Sequence, residues 1–463
     1  MKRNNNFIFS IIITSVFVSS CQVTNKYKSP DIDAENLYRD ITATDTTTIA
    51  DIPWREYYSE PFLANLIDEA LKNNVDMLIA ESGIRQAEAN LKQAQLAYFP
   101  GISLTGTLTH VSTSDANAAL NHSSVTPRIG IGATWEADIW GKLNRRSRAQ
   151  YAQFLRSKSY RDLIRASLIA NVATSYYSLL ALDEKLNITR ETAALLEKNV
   201  ETMQALKDAG RQNSAAVEQS RSLMLSAKIS VFDIEYAIRE LENSLCVLLG
   251  RKPGAIERGS LDVQPAPMEI RTGVPMQMLV RRPDVRQAEL AFRSAFELTN
   301  AAQAGFYPSI TLNAGSFIGY TKTGFSNLFS VENLVANVIG GLTQPLFAQG
   351  QLRANLKIAR ENQLQALLEF QNTVLNAGSE VSNIMYRFES LEEKAVLRSA
   401  QIVSTKKAAE DTEELLKADE AIYTEVLSAQ QNYLSARLNE VNDKLEQLQC
   451  VVNLYRALGG GEE

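Results

Sequence analysis

Two long stretches of the chain place apolar residues at three- and four-residue intervals and contain almost no helix breakers. Residues 142–249 have no proline and one glycine, Gly210, and residues 351–458 again have no proline and one glycine, Gly378. This spacing, in a sequence rich in Ala, Leu, Glu, Lys and Gln, predicts α-helices. We expect each stretch to turn back on itself after a first arm that is about 100 Å long at 1.5 Å per residue.

A second pattern, the alternation of apolar and polar residues, occupies three shorter stretches, 102–109, 129–139 and 310–318, and a glycine-containing apolar run at 335–347 is expected to be a fourth strand. Such alternation is typical of transmembrane barrel strands, although a soluble β-sandwich also uses it. Aromatic residues near the strand ends favour the membrane interpretation, because aromatic rings settle at bilayer interfaces. Those residues are Tyr98, Phe99, Trp140, Phe306, Tyr307 and Phe347. The polar segments 112–124 and 321–333 are expected to be exposed loops.

These elements occur twice, because the chain is a tandem repeat. Pro100 returns as Pro308, 208 residues later, and the block Leu182–Lys185 returns as Leu391–Lys394, 209 residues later. Each repeat has a short helix (62–98 or 283–306), two strands and a long helical hairpin. The predicted divisions are a signal peptide at 1–20, an N-terminal segment at 21–61, a first repeat at 62–250, a linker at 251–282 and a second repeat at 283–463.

Four strands are too few to form a closed structure in a membrane. Open sheet edges are not tolerated in hydrocarbon, so several copies of the chain must close one sheet together. The long helices make the same demand, since each must bury an apolar stripe against neighbours. The pattern therefore predicts a ring of protomers.

The N-terminus reads as an export signal. Lys2 and Arg3 precede a twelve-residue apolar run at 7–18, which is too short to cross a bilayer as a helix. The run ends in Val18-Ser19-Ser20-Cys21, which resembles a bacterial lipobox, although an ordinary signal peptide with a chance cysteine is the alternative. Cys21 is thus the expected lipidation site, and its acyl chains would tether the N-terminus to the outer membrane.

Composition narrows the function classes. The 47 basic and 53 acidic residues give a formal net charge of −6, which argues against a nucleic-acid-binding protein. Two histidines, His110 and His122, and three cysteines offer little for metal clusters or a Ser-His-Asp hydrolase, so we expect neither an enzyme nor a resident cofactor. Cys246 and Cys450 lie in Leu-rich helical sequence and are expected to be buried free thiols.

Several motifs in the same order resemble those of the TolC-type outer membrane efflux proteins, and with the lipobox most resemble the NodT/OprM-like lipoprotein branch. They are Asp138–Lys142, Leu248–Gly254, Arg281–Val285, Phe306–Ser309 and Gln344–Phe347 with Gly350. The resemblance implies a mainly α fold with a membrane β-barrel, in which a homotrimer closes twelve strands and an α-helical tunnel. It also implies passive export in the Gram-negative outer membrane, with a periplasmic adaptor and an inner-membrane pump of RND type as partners.

The resemblance assigns roles to two small regions. The adaptor-docking tips are expected at the helical turns, around Ala209, Gly210 and Arg211 in the first repeat and around Ala418, Asp419 and Glu420 in the second. Asp419 stands where the family usually has glycine. The periplasmic aperture is expected at Thr424, Glu425 and Ser428, where three copies of Glu425 would form a cation-sensitive constriction. Ser428 replaces an aspartate common in the family.

One competing hypothesis remains open from the sequence alone. A lipid-anchored periplasmic coiled-coil scaffold without a channel would explain the long helices, but it would leave the paired alternating strands without a purpose. The resemblance implies that the pump and the adaptor, rather than the duct, select the exported substrate.

Overall fold

The computed structural model describes residues 25–31, 37–39, 48–113, 122–263, 279–418 and 420–461. The helices are α1 (Trp54–Tyr57), α2 (Pro61–Asn73), α3 (Val75–Leu96), α4 (Lys142–Asp208), α5 (Ser214–Leu248), α6 (Pro283–Ala304), α7 (Gln351–Lys417) and α8 (Tyr423–Ala457). The strands are β1 (Gly101–Thr113), β2 (His122–Ala137), β3 (Ser309–Thr321), β4 (Leu334–Asn337) and β5 (Gly340–Thr343). Short 3₁₀ turns lie at Ile49–Asp51, Leu261–Val263 and Val331–Asn333.

The long helices confirm the repeat. α4 and α7 each have 67 residues, and α5 and α8 each have 35. Each of the four begins and ends 209 residues from its counterpart. The fold class predicted from the sequence, mainly α with strands, is confirmed. Among the described residues, no helix combines the length and apolar composition needed to cross a bilayer.

The single short helix predicted over 62–98 is wrong, because the chain breaks at Asn74 into α2 and α3. Asn74 has an extended backbone, and its side-chain oxygen accepts from the amides of Asp76 and Met77 at 2.9 and 3.1 Å. Its side-chain nitrogen, Nδ2, donates to the Leu248 carbonyl at 2.9 Å. A buried asparagine that caps one helix and binds the end of another favours a break here. In the second repeat, α6 corresponds to α3, since both of its ends lie 208 residues further along the chain.

The strands form one antiparallel sheet in the order β1-β2-β3, and β3 then pairs with both β4 and β5. β4 faces residues 317–320 of β3 and β5 faces residues 309–312, so the two occupy one strand position. The continuous strand predicted over 335–347 is therefore interrupted, and the amide of Asn313 bonds the Ile339 carbonyl at the break at 2.9 Å. The loop predicted at 112–124 is shorter than expected, since β1 reaches Thr113 and β2 starts at His122; residues 114–121 lie outside the described part.

The contacts divide the chain into two compact units, each of which takes segments from both repeats. The first contains residues 84–156 and 288–370 with the described residues up to Asp31, and therefore all five strands. The second contains the described parts of 32–83, 157–287 and 371–463. The domain boundaries predicted from the repeat stay predictions.

Within the first unit, the Asp138–Lys142 motif joins β2 to α4. Asp138 accepts from the amides of Leu143 and Asn144, both at 2.8 Å, and so caps the helix. Trp140 donates its ring N–H to the Pro308 carbonyl at 2.7 Å. Gly141 has φ +74°, a conformation that glycine adopts without steric cost. The motif is thus a strand-to-helix junction.

Within the second unit, Arg282 organises the start of α6. Its buried guanidinium donates to Asp284 at 2.7 Å, to Glu380 at 2.8 Å and to the carbonyl of Ala457 at 2.8 Å. Burial alone would raise the pKa of Asp284, but the hydrogen bond and charge of Arg282 hold that pKa below its ordinary value of 3.8. The motif at 281–285 is a helix start, as predicted. Cys246 and Cys450 are buried and free, also as predicted.

Candidate functional site

The sheet has two chemically different faces, because successive side chains of a strand point to opposite sides. The pairing register places one set of apolar residues together: Ile102, Leu104, Leu108, Val125, Ile129, Ile131, Trp135, Ile310, Leu312, Ile318, Tyr320, Leu334, Ala336 and Leu342. His110, near the end of β1, is a polar residue on this face. The other face carries Ser103, Thr105, Thr107, Thr109, Thr126, Arg128, Thr134, Glu136, Ser309, Thr311, Thr321, Asn337 and Thr343.

The apolar face is unusually exposed in the single chain. Ile102 is 74% exposed and Leu104 is 78% exposed, and most of their neighbours on this face are also accessible. A contiguous apolar surface of this kind marks contact with a lipid or a protein rather than with water. The arrangement fits a sheet whose apolar side faces hydrocarbon and whose polar side faces an aqueous space.

The predicted tip of the first repeat is a tight helix-ending turn. The amide of Gly210 bonds the Lys207 carbonyl and the amide of Arg211 bonds the Leu206 carbonyl, both at 2.9 Å. Gly210 has φ +74°, so these two bonds form a Schellman motif. Ala209 continues the helical bonding to the Ala205 carbonyl at 3.0 Å.

The predicted tip of the second repeat ends α7 in a comparable way. Ala418 bonds the Glu414 carbonyl at 3.1 Å, and Glu420 bonds the Leu415 carbonyl at 2.9 Å. The second bond spans the same number of residues as the bond from Arg211 in the first repeat. Asp419 lies outside the described residues.

The two turns come together on one small apolar cluster. Its buried members are Met203, Ala216, Val217 and Tyr423, with Leu206, Leu416 and Leu427 packed around them. The buried Ser220 hydroxyl donates to the Tyr423 hydroxyl at 2.6 Å, which links α5 to α8. Burial raises the pKa of Tyr423 above its ordinary value of 10.0, so it is protonated at neutral pH.

Sequence reasoning missed this link between the hairpins. Tyr423 corresponds to Ser214 at the repeat offset, so comparison of the two repeats gives no sign of the pair. Ser220 and Tyr423 are 203 residues apart, and no local pattern joins them.

Glu425 has a structural role that the sequence analysis did not assign. Its carboxylate accepts from the amide of Ile422 at 3.0 Å, at the start of α8. In the first repeat the corresponding pair works the other way, since the Asn213 side chain accepts from the Ala216 amide at 3.0 Å. Each repeat thus uses one half of a capping box, because an isoleucine side chain cannot accept a hydrogen bond.

The three predicted aperture residues lie together on one exposed surface. Thr424, Glu425 and Ser428 line a cavity of about 410 Å³ with Thr405, Ala408, Ala429 and Asn432 of α7 and α8. All three predicted residues are exposed. The structure therefore brings them together, and their role as an aperture stays a prediction, as does the docking role of the tips.

A family model described as outer membrane efflux protein matches residues 66–251 and 274–460. The two matched segments coincide closely with the two repeats. Together they cover well over half of the chain.

Known proteins of similar sequence cover most of the chain. It is 27% identical over 415 residues to a protein of Salmonella typhimurium named probable outer membrane lipoprotein SilC. The match covers 89% of this chain and 88% of that protein. It is 25% identical over 464 residues to a protein of Pseudomonas putida named probable efflux pump outer membrane protein TtgC. The match covers 98% of this chain and 95% of that protein.

Among solved structures, the outer-membrane channel OprN superposes with a TM-score of 0.87 at 22% identity. The superposition covers 95% of this chain and 99% of that one. At this level of identity, the likeness concerns the fold.

Proposed function

This chain belongs to the outer membrane efflux protein family, and from that premise we propose that it is the passive exit duct of a three-part efflux system. In this system an inner-membrane pump, of RND type, and a periplasmic adaptor deliver small molecules to the duct. The observation that carries the proposal is the two-faced sheet, since an apolar face and a polar face suit strands between lipid and an aqueous lumen.

The open edges of the sheet support a homotrimer. Among the described strands, β1 pairs with β2 alone, and β4 and β5 pair with β3 alone, so each end of the sheet has an unpaired edge. The two edges differ, so pairing between copies is head-to-tail and closes into a ring. Four strand positions in each of three copies give a twelve-stranded barrel.

The proposal places a lipid on Cys21, which lies outside the described residues. The lipobox-like run that ends at Cys21 supports it, as does the name of the Salmonella relative, which calls that protein a lipoprotein. A lipid-anchored N-terminus holds the protein on the periplasmic leaflet of the outer membrane.

The proposed work of the helical turns follows from their chemistry. Ala209, Gly210 and Arg211 of the first turn are exposed, as are Ala418 and Glu420 of the second, and in this proposal they contact the adaptor together with Asp419. Thr424, Glu425 and Ser428 would line the aperture. Charged side chains around a narrow axis repel one another and attract counter-ions, which gives the aperture its cation sensitivity. No covalent chemistry is proposed, and substrate selection belongs to the pump and the adaptor.

The proposal is tested by extracting the mature protein in mild detergent and reconstituting it in planar bilayers. We expect a trimer by mass determination and by negative-stain imaging, and ion conductance in the bilayer. A monomer or dimer that conducts no current and is extracted from membranes by alkali would overturn the duct. That outcome would favour the lipid-anchored coiled-coil scaffold instead.

A further inference from the structure

One large aromatic residue lies on the polar face of the sheet. Phe317 is only 4% exposed, although its neighbours on this face are mostly hydroxyl residues and glycines. Its ring lies over Gly130 and Gly319, which face each other across β2 and β3. A Cβ atom at Gly130 would stand 2.5 Å from the ring, and one at Gly319 would stand 2.7 Å from it, so the two glycines form the seat of the ring.

The Phe317 ring is in contact with a cationic side chain. The Arg128 guanidinium lies over Phe317, with its central carbon 3.9 Å from the ring centroid. The residues paired with Arg128 on the neighbouring strands are Thr107 and Thr321, so hydroxyl groups surround it. Within the described residues, Arg128 has no carboxylate partner and no hydrogen bond.

The other charge on this face is already neutralised. Arg128 and Glu136 are the only formally charged residues of the described strands, and Glu136 accepts from Lys142 at 2.7 Å. Arg128 lies eight positions before Glu136 on β2, or about 26 Å of strand, and α4 begins just after Glu136, at Lys142. Arg128 therefore lies towards the end of the sheet that is farther from the helices.

We propose that Arg128, whose guanidinium lies over the Phe317 ring, is an anion-contact site on the polar face of the sheet, suited to carboxylate and phosphate groups of passing solutes. Phe317 contacts the guanidinium from one side, and the guanidinium N–H groups have no hydrogen-bond partner among the described residues. A guanidinium can bind a planar carboxylate through two parallel hydrogen bonds. This inference rests on the proposed duct, in which the polar face lines the lumen and three copies of Arg128 form a ring.

The test compares full-length wild-type and variant channels in planar bilayers under a KCl gradient. In Arg128→Gln we expect the ratio of chloride to potassium permeability, taken from the reversal potential, to fall about threefold, because a unit charge a few ångströms away in water alters local ion concentration by this much. Lys28→Gln removes a charge from a side chain 85% exposed outside the sheet, and it serves as the control with an unchanged ratio.

A second readout uses benzoate as the carboxylate probe. Benzoate should inhibit chloride current through the wild type, and its apparent affinity should fall about tenfold in Arg128→Gln with the loss of one paired charge-assisted contact. Phe317→Leu keeps the charge of Arg128 and removes the aromatic ring beneath it. This variant should retain the permeability ratio and lose benzoate inhibition. This variant decides the matter if Arg128→Gln does not assemble.

The outcomes separate the two proposals. A conducting Arg128→Gln channel with wild-type selectivity and wild-type benzoate inhibition overturns the anion site and leaves the duct intact. Absence of conductance in the wild type overturns the duct itself.

Discussion

At the residue scale, Glu425 makes a structural hydrogen bond in addition to the functional role expected from its position. Glu425 is expected at an aperture, yet it also caps the first turn of α8 through the Ile422 amide. A substitution that removes both the charge and the hydrogen bond cannot tell the two roles apart. The choice of substitution therefore decides what an experiment on this residue measures.

Glu425→Gln and Glu425→Ala form a matched pair for this purpose. Glutamine can keep the bond to the Ile422 amide, whereas alanine cannot, so alanine should lower helix stability by about 1 kcal/mol and glutamine by much less. Both remove the charge, so both should raise leak conductance in planar bilayers. Wild-type conductance and ion selectivity in Glu425→Gln would contradict the aperture assignment, whatever alanine does.

A buried ion pair gives a second prediction at this scale. Arg145 donates to Glu297 at 2.8 Å, and their side chains are 7% and 1% exposed. Arg145→Ala leaves an uncompensated buried carboxylate, so we expect a loss of about 3–5 kcal/mol of stability. The double substitution Arg145→Leu with Glu297→Leu should cost clearly less.

Thermal unfolding followed by circular dichroism in detergent measures both variants. A single substitution that unfolds at the wild-type temperature would show that the pair is not buried in the assembled protein. The exposed pair Arg190–Glu235, at 2.6 Å, is the control, since exposed pairs contribute about 0–1 kcal/mol.

At the scale of elements, the two repeats reach the same helix lengths through different local chemistry. α5 and α8 begin with opposite halves of the capping box, around Asn213 and Glu425. The longer helices also differ, since α7 has Gly378, which lies against Leu37 of the N-terminal segment, where α4 has Ile169. The two repeats thus share the positions at which their long helices begin and end, but they differ in the residues that cap these helices and pack against them.

The glycines inside helices should respond oppositely to alanine. A Cβ at Gly378 would collide with the Leu37 side chain and its carbonyl, whereas one at Gly83 would meet nothing within 4 Å. Gly83→Ala should therefore stabilise the protein by about 0.5–1 kcal/mol through helix propensity alone. Gly378→Ala should destabilise it, because overpacking costs about 1–3 kcal/mol.

Unfolding temperature and protease cleavage near Leu37 measure this difference. We expect faster cleavage in Gly378→Ala and unchanged cleavage in Gly83→Ala. Equal stabilisation by both substitutions would mean that the segment does not pack against α7.

At the scale of the whole molecule, the faces of the sheet decide what kind of assembly the chain can form. Adjacent residues of β1 lie on opposite faces, so Leu104 belongs to the apolar face and Thr105 to the polar face. A charge introduced at one of them should meet lipid, and a charge at the other should meet water. The proposed barrel therefore makes a sharp distinction between neighbouring positions.

Leu104→Arg and Thr105→Arg test this distinction. Arginine on the lipid face of a barrel costs up to about 2–4 kcal/mol, so Leu104→Arg should reduce the amount of trimer in outer membranes. Thr105→Arg should assemble normally and should alter ion selectivity. Trimer yield is measured on unheated gels of membrane fractions, and equal yields for the two variants would contradict the membrane placement of the sheet.

Much of this protein could be predicted from the sequence, because the determining patterns are local or repeated. Helical periodicity without breakers predicts α4 and α7 almost to the residue, and the 209-residue offset predicts their counterparts. Alternation predicts the strands and their two faces. The predicted turn at Gly210 also holds, since a glycine between two long helical stretches favours a left-handed helix end.

What the tertiary structure alone decided depends on partners far apart in the chain. Asn74 breaks a helix because Leu248 presents a carbonyl to it, and the fourth strand position is interrupted where Asn313 bonds Ile339. The link between Ser220 and Tyr423 joins residues 203 positions apart. The contact of Arg128 with the Phe317 ring likewise needs the register that places Gly130 opposite Gly319. Local patterns select helix, strand and turn, but such pairs become neighbours only when the chain packs.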